Sequence, residues 1–174
     1  MPKEQNICPD VKIGIISDSH DQMDNIRKAV EIFKEKKVDF VFHLGDCINP
    51  VAAKSFLGLK IKGVFGNNDG DKFRLVKAYE EIDGELLGDF GELECAGLRF
   101  ALYHGADQEI KDALVKCGKY DVVFSGHTHI IENKKVGNTL CINPGTAHGF
   151  GGRATIAIFD TYAKKLEIID LGKN

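Results

Sequence analysis

A chain of 174 residues has the length of one ordinary domain, and its 43% hydrophobic and 28% charged residues exclude the disordered, collagen-like and coiled-coil classes. The formal net charge of −3 gives no general basic field for nucleic acid or an anionic membrane, so an anionic partner has to be recruited locally. The five cysteines, Cys8, Cys47, Cys95, Cys117 and Cys141, are odd in number and widely spaced, without a C-x-x-C pair, which points to reduced thiols in a cytoplasmic protein. The opening MPKEQNICPDVKIG lacks the charged and apolar regions of a signal peptide, and no apolar run reaches membrane-spanning length. No repeat or linker divides the sequence, so residues 1–174 are expected to form a single domain.

Val11 to Ile16 is a short β-branched run, as expected of a strand covered on both faces. Met23, Ile26, Val30 and Phe33 then recur at helical spacing against charged residues, with Asp21 placed to cap the helix start. Val38 to Leu44 and Ile61 to Phe65 read as further strands, giving the order β-α-β-(short α)-β. Leu86 to Leu102 is broken by Gly88, Gly91 and Gly97 and predicts hairpins. Asp107 to Cys117 predicts a short helix. Strands are expected at Asp121–Ser125, Thr139–Ile142, Ala154–Phe159 and Leu166–Leu171. Together these predict a mixed parallel and antiparallel β-rich domain flanked by helices.

Polar residues collect where the strands run out. The first strand ends in Asp18-Ser19-His20, the second in Gly45-Asp46, and the third in Gly66-Asn67-Asn68-Asp69. Later ends carry His104-Gly105 and Gly126-His127-Thr128-His129. Any one of these is weak as a motif, but five in series, each after an apolar run, point to one converged site on loops held by a rigid frame. Imidazole and carboxylate together suit Mn, Fe, Co, Ni or Zn, whereas Mg or Ca favours an all-oxygen shell. Asp18, His20, Asp46, Asn67, His104, His127 and His129 exceed the needs of one ion. Two ions about 3.5–4 Å apart, bridged by Asp46, would use them all and leave a cationic cleft suited to a phosphate ester.

DSH, GD, GNND, HG and GHTH, in that order, resemble the signature of the calcineurin-like metallophosphoesterases. The compact length resembles their small prokaryotic phosphodiesterase subfamily, which also includes the phosphoesterase-fold subunit of retromer. The resemblance spans about Val11 to Leu171. It implies an α/β (α+β) fold, a four-layer αββα sandwich of two mixed sheets flanked by helices, with a dinuclear site along one edge. It would put one metal on Asp18, His20, Asp46 and His129 and the other on Asp46, Asn67, His104 and His127. Spacing by itself does not make that split. Two divalent transition-metal ions are implied, Mn2+ or Ni2+ foremost and Fe, Co or Zn as alternatives.

Many members of that family carry His where this chain has Asn68, and that His is commonly assigned to hold the phosphate and protonate the leaving oxygen. An amide donates a hydrogen bond but supplies no proton to an alkoxide. Asn68 and Asp69 are the catalytic candidates, with Asp69 more readily orienting Asn68 or a metal ligand than reacting itself. The expected chemistry is in-line attack by a metal-bridging hydroxide on a small phosphodiester, with little help to the leaving group. His148, in the glycine-rich NPGTAHGFGGR stretch, reads first as a solvated turn residue, with contact to substrate as the alternative. Arg153 is weighed in the same way as a phosphate clamp. His43 lies inside an apolar strand and reads as structural, and Cys47 as a packed thiol. Competing functions are a phosphomonoesterase and a non-catalytic scaffold of the retromer-subunit type. A nuclease has neither a basic stripe nor a stacking cluster behind it. Homo-oligomerisation is left open.

Overall fold

The computed structural model describes residues 10–172, so Cys8 lies outside the described residues. The elements run β1 (Lys12–Ile16), α1 (Met23–Glu35), β2 (Phe40–His43), α2 (Pro50–Lys54), β3 (Ile61–Gly63), α3 (Lys72–Glu80) and β4 (Glu85–Leu86). They continue as β5 (Phe90–Cys95), β6 (Leu98–Tyr103), α4 (Gln108–Lys116), β7 (Val122–Phe124), β8 (Ile131–Val136), β9 (Thr139–Pro144), β10 (Thr155–Asp160) and β11 (Lys165–Asp170). One sheet has the order β11-β10-β1-β2-β3-β4 and the other β5-β6-β7-β9-β8. Both are mixed: β1 to β4 run parallel, as do β6, β7 and β9, while β10, β11, β5 and β8 pair antiparallel.

Strand alternation builds the layers. Ile13 and Ile15 face the second sheet, whereas Ile16 faces the helices, so β1 is apolar throughout because both its faces are covered. Between the sheets, Phe124 meets Phe42, Phe100 and Phe159 edge to face at 5.4, 5.5 and 6.0 Å. Each such fully buried ring contributes about 1.5–3 kcal/mol. A second cluster lies under the first three helices, joining Ile26, Ala29 and Phe33 of α1 to Val41, Ala52, Leu75 and Tyr79. A third packs Val115 of α4 on Ala101, Val123 and Cys141. Helices, sheet, sheet and helix are the expected four layers.

Local expectations fared unevenly. The β5–β6 and β10–β11 hairpins fall where the glycines and the D-T-Y-A-K-K turn place them. Asp21 does not cap α1: the cap position is Gln22, with no side-chain cap bond, because Asp21 itself turns left-handed at φ 57°. Two elements had no sequence-based prediction. Helix α3 buries only Leu75, Ala78 and Tyr79, too sparse a stripe to read, although Asp71 caps it by accepting from Arg74 N–H. Strand β8 (IENKKV) is a polar edge strand held by its ladder with β9. No helix among the described residues is long and apolar enough to cross a membrane.

Candidate metal centre

The parallel strands β1, β2, β3, β6, β7 and β9 deliver their C-terminal ends to one edge of the two sheets, the usual place for a site in such a frame. There the backbone is repeatedly left-handed: Asp18 (φ 52°), His20 (41°), Asp46 (57°), His127 (64°) and His129 (60°). Asp and His tolerate that region better than most residues, but such clustering marks strain held by the surrounding structure. Glycine supplies the remaining space. A Cβ on Gly66 would fall on the Asp46 carboxylate, and one on Gly126 would fall on the Ser17 hydroxyl, with Asp18 Oδ2 at 2.7 Å. The glycines in G-N and G-H are therefore there because the next loop's carboxylate passes against their backbone.

Within this cage the side chains converge on Asp18 and Asp46, both buried. Asp18 Oδ1 lies 3.1 Å from His129 Nε2, 3.9 Å from His104 Nε2 and 4.0 Å from His20 Nε2. Asp46 Oδ2 lies 3.3 Å from His20 Nε2 and 3.5 Å from His104 Nε2. Asn67 Oδ1 is 3.1 Å from His104 Nε2, and the His127 ring stands edge-on to His104 at 5.2 Å. Of the seven residues expected as metal ligands, Asp18, His20, Asp46, His104 and His129 thus meet side chain to side chain, and Asn67 and His127 join them through His104. A groove of about 240 Å³ continues from His104 and Asn67 past Lys72, Asp89 and Tyr103.

Electrostatics sharpen the picture. Burial opposes ionisation of Asp46, but hydrogen bonds from His104 and Asn68 outweigh it and hold the carboxyl well below the usual carboxylate range. Burial also opposes charging His104, yet the hydrogen bond to Asp46 and the nearby Asp18 and Asp46 charges raise its pKa. His104 Nδ1 lies 2.7 Å from the Leu44 carbonyl oxygen, to which it donates, so Nε2 faces the carboxylates. His20 Nε2 is buried with no hydrogen-bond partner among the described residues.

That unpartnered nitrogen, beside two buried carboxylates, is the environment a cation completes. Metal–ligand bonds of about 2.0–2.2 Å place neighbouring ligand atoms about 3.0–3.4 Å apart, close to the shorter separations here. The residues present therefore fit divalent ions of the borderline class.

The flanking residues divide by what they touch. Asp69 is buried, and its carboxylate accepts from Asp46 N–H (3.0 Å), Gly66 N–H (2.7 Å) and Ile48 N–H (2.7 Å), tying two ligand loops together. Asn68 is exposed at the mouth and gives its backbone N–H and its amide Nδ2 to Asp46 at 2.9 and 2.7 Å. His43 is fully buried between Ser19 Oγ (3.1 Å) and Gly45 N–H (3.3 Å), and burial lowers its pKa to about 4, so it fastens two loops as a neutral ring. Cys47 is a buried thiol, which burial holds well above its ordinary pKa.

His148 is not a solvated turn residue. It is 4% exposed, with its ring 4.9 Å from His20 and 4.7 Å from His129. Burial, reinforced by those two imidazoles, lowers its pKa to about 4. The one signal in the sequence was its place just beyond a strand end, shared with the other site histidines. Arg153 is exposed, and its Nε donates to Asp170 Oδ2 at 2.8 Å.

Parallel strands ending in a cage of imidazoles and carboxylates, on a helix-sheet-sheet-helix frame, define the metallophosphoesterase class. Residues 11–164 match the family model of the calcineurin-like phosphoesterase superfamily domain, and the chain belongs to that superfamily. It is 41% identical over 165 residues to phosphodiesterase MJ0936 of Methanocaldococcus jannaschii, covering 92% of this chain and 99% of that protein. The solved structure of an archaeal phosphodiesterase superposes with a TM-score of 0.87 at 40% identity, covering 91% of this chain and 99% of that one. A variant of Vps29 from Entamoeba histolytica superposes with a TM-score of 0.65 over 91% of this chain and 98% of its own, and at 16% identity shares the fold alone.

Proposed function

We propose that this chain hydrolyses small phosphodiesters with two divalent transition-metal ions. Asp18, His20, Asp46 and His129 would hold one ion, and Asp46, Asn67, His104 and His127 the other. The observation that carries the reading is the convergence of His20, His104 and His129 on the buried Asp18 and Asp46, with Asn67 Oδ1 and the His127 ring against His104. The 41% identity to a protein named a phosphodiesterase, and the 40% identity to a solved archaeal phosphodiesterase, support diesters over monoesters. The mixed nitrogen and oxygen donors suit Mn2+, Fe, Co, Ni2+ or Zn alike, and the resemblance to the small phosphodiesterases puts Mn2+ or Ni2+ first. Free Cys47, Cys117 and Cys141 fit a reducing cytoplasm. Against a scaffold role stands the cost of burying two carboxylates among imidazoles with nothing to neutralise them.

When bound, such ions supply Lewis-acid stabilisation of the phosphoryl charge and make water acidic enough to attack. The protein's own share is to hold geometry. Asp69 fixes the spacing of the Asp46 and Gly66 backbones, and the Leu44 carbonyl sets the His104 tautomer. Asn68, at the mouth, turns its amide between Asp46 and a phosphoryl oxygen but has no proton to give. The leaving group therefore departs on its own basicity. Rates across a series of aryl phosphodiesters, measured with added Mn2+, should fall steeply as leaving-group pKa rises. A flat dependence would reveal a general acid, and a metal-loaded protein inert toward every ester would favour the scaffold.

A further inference from the structure

The loop after β9 carries an imidazole to which none of the roles above is assigned. His148 stands edge-on to both His20 and His129, and one ring nitrogen from each of the three lies within 4.8 Å of the others. Its loop is bolted to the ligand strand itself. Ala147 N–H donates to the Ser17 carbonyl (2.9 Å), His148 N–H to the Asp18 carbonyl (3.0 Å), and Thr146 Oγ1 to the same oxygen (3.1 Å). Asn25 Nδ2 holds the Ala147 carbonyl from α1 at 2.8 Å. The His148 ring is thus fixed relative to Asp18, not carried on a swinging segment.

Proximity to two ligand imidazoles would make His148 a third nitrogen donor to an ion. The hydrogen bond on its other nitrogen decides against that. Phe150 N–H donates to His148 Nδ1 at 2.7 Å, so Nδ1 holds a lone pair and no hydrogen. A neutral imidazole then bears its single proton on Nε2. An N–H does not coordinate a cation; it donates to an anion. The Phe150 ring, 4.4 Å away and tilted by 33°, lies against the imidazole and keeps that orientation.

We infer that His148 is a substrate-binding residue, its Nε2–H donating to a non-bridging phosphoryl oxygen on the His20 and His129 side of the cleft. It supplies from a different loop the imidazole contact to phosphate that Asn68 does not provide. The inference rests on the phosphodiesterase reading. No proton is transferred, so the steep dependence on leaving group stands unchanged.

The test uses the full chain loaded with Zn2+ and titrated with inorganic phosphate by calorimetry, with bound zinc measured in parallel. His148→Ala should weaken phosphate binding about tenfold, the scale of one hydrogen bond to a charged group, and leave the zinc content unchanged. His148→Gln, which keeps an N–H at the same reach, should recover affinity to within about threefold of wild type. Loss of zinc together with phosphate in His148→Ala would make His148 a ligand and overturn the inference, as would unchanged phosphate binding. Wild-type protein that binds zinc but no phosphate would remove the phosphodiesterase reading as well, whereas the preceding failures leave it standing. Should His148→Ala not fold, the proton–nitrogen correlation spectrum assigned to the wild-type His148 imidazole decides: an Nε2–H signal from that ring is expected, and an Nδ1–H signal from it overturns the inference.

Discussion

Along the outer flank of the second sheet, Lys111 is only 6% exposed, and its Nζ lies 2.7 Å from Glu132 Oε2, while the exposed Lys134 pairs with the other oxygen of that carboxylate. In the cleft, Asp18 and Asp46 are buried against His20, His104 and His129 at 3.1–4.0 Å, on loops with five left-handed ligand residues. Neither Lys111 nor Glu132 has such a backbone. Both regions bury charge. The flank closes its electrostatics internally, while the cleft holds surplus donors, an unpartnered imidazole nitrogen and strain. Buried polarity that neutralises itself is architecture, and buried polarity that does not is a binding site.

Replacing ligands should break the cleft far more than the fold. Asp46→Asn removes the carboxylate expected to serve both ions, and turnover of a bis-aryl phosphate should fall by more than about 100-fold, beyond the range for positioning residues. Retention of wild-type turnover would sink the shared-ligand role. Asp69→Asn keeps the shape but loses charge-assisted bonds to the Asp46 and Gly66 backbones. Its metal affinity, read by competition with a chelator, should drop about 10- to 100-fold.

The flank should respond in stability alone. Lys111→Met strands Glu132 and should cost about 2 kcal/mol in urea denaturation, less than a fully buried pair because Lys134 also contacts that carboxylate. Adding Glu132→Leu should recover most of the loss. If the single change is silent, the ion pair contributes nothing and the contrast with the cleft weakens.

The smallest effect is a pH dependence. Burial opposes ionisation of Glu132, but hydrogen bonds from Lys111 and Lys134 outweigh it and hold its pKa below the ordinary value of 4.5. Its contribution to stability is then complete above that value and is lost as pH falls through the lower folded pKa. The stability gap between wild type and Glu132→Gln should accordingly narrow below about pH 4.5, measured by denaturation from pH 7 downward. A gap that widens toward acid would reverse the assigned sign.

What the sequence determined by itself was whatever depends on near neighbours in the chain. The apolar runs of β1, β2 and β7 announce covered strands, the stripe of α1 its buried face, and the residues after each strand their chemistry. Even the cage could be anticipated, because parallel strands send their C-terminal ends to one edge. Tertiary structure decided what depends on who meets whom. Helix α3 and strand β8 exist through packing and ladder bonds that their own patterns barely encode. Asp21 lost its capping role to a backbone turned by the ligand loop. His148 looked solvated because its neighbours are glycines, yet contacts to Ser17, Asp18 and Asn25, more than 120 residues away, draw it into the cleft. Local pattern encodes burial and helix or strand; long-range hydrogen bonds and close backbone approaches encode which polar groups share a space.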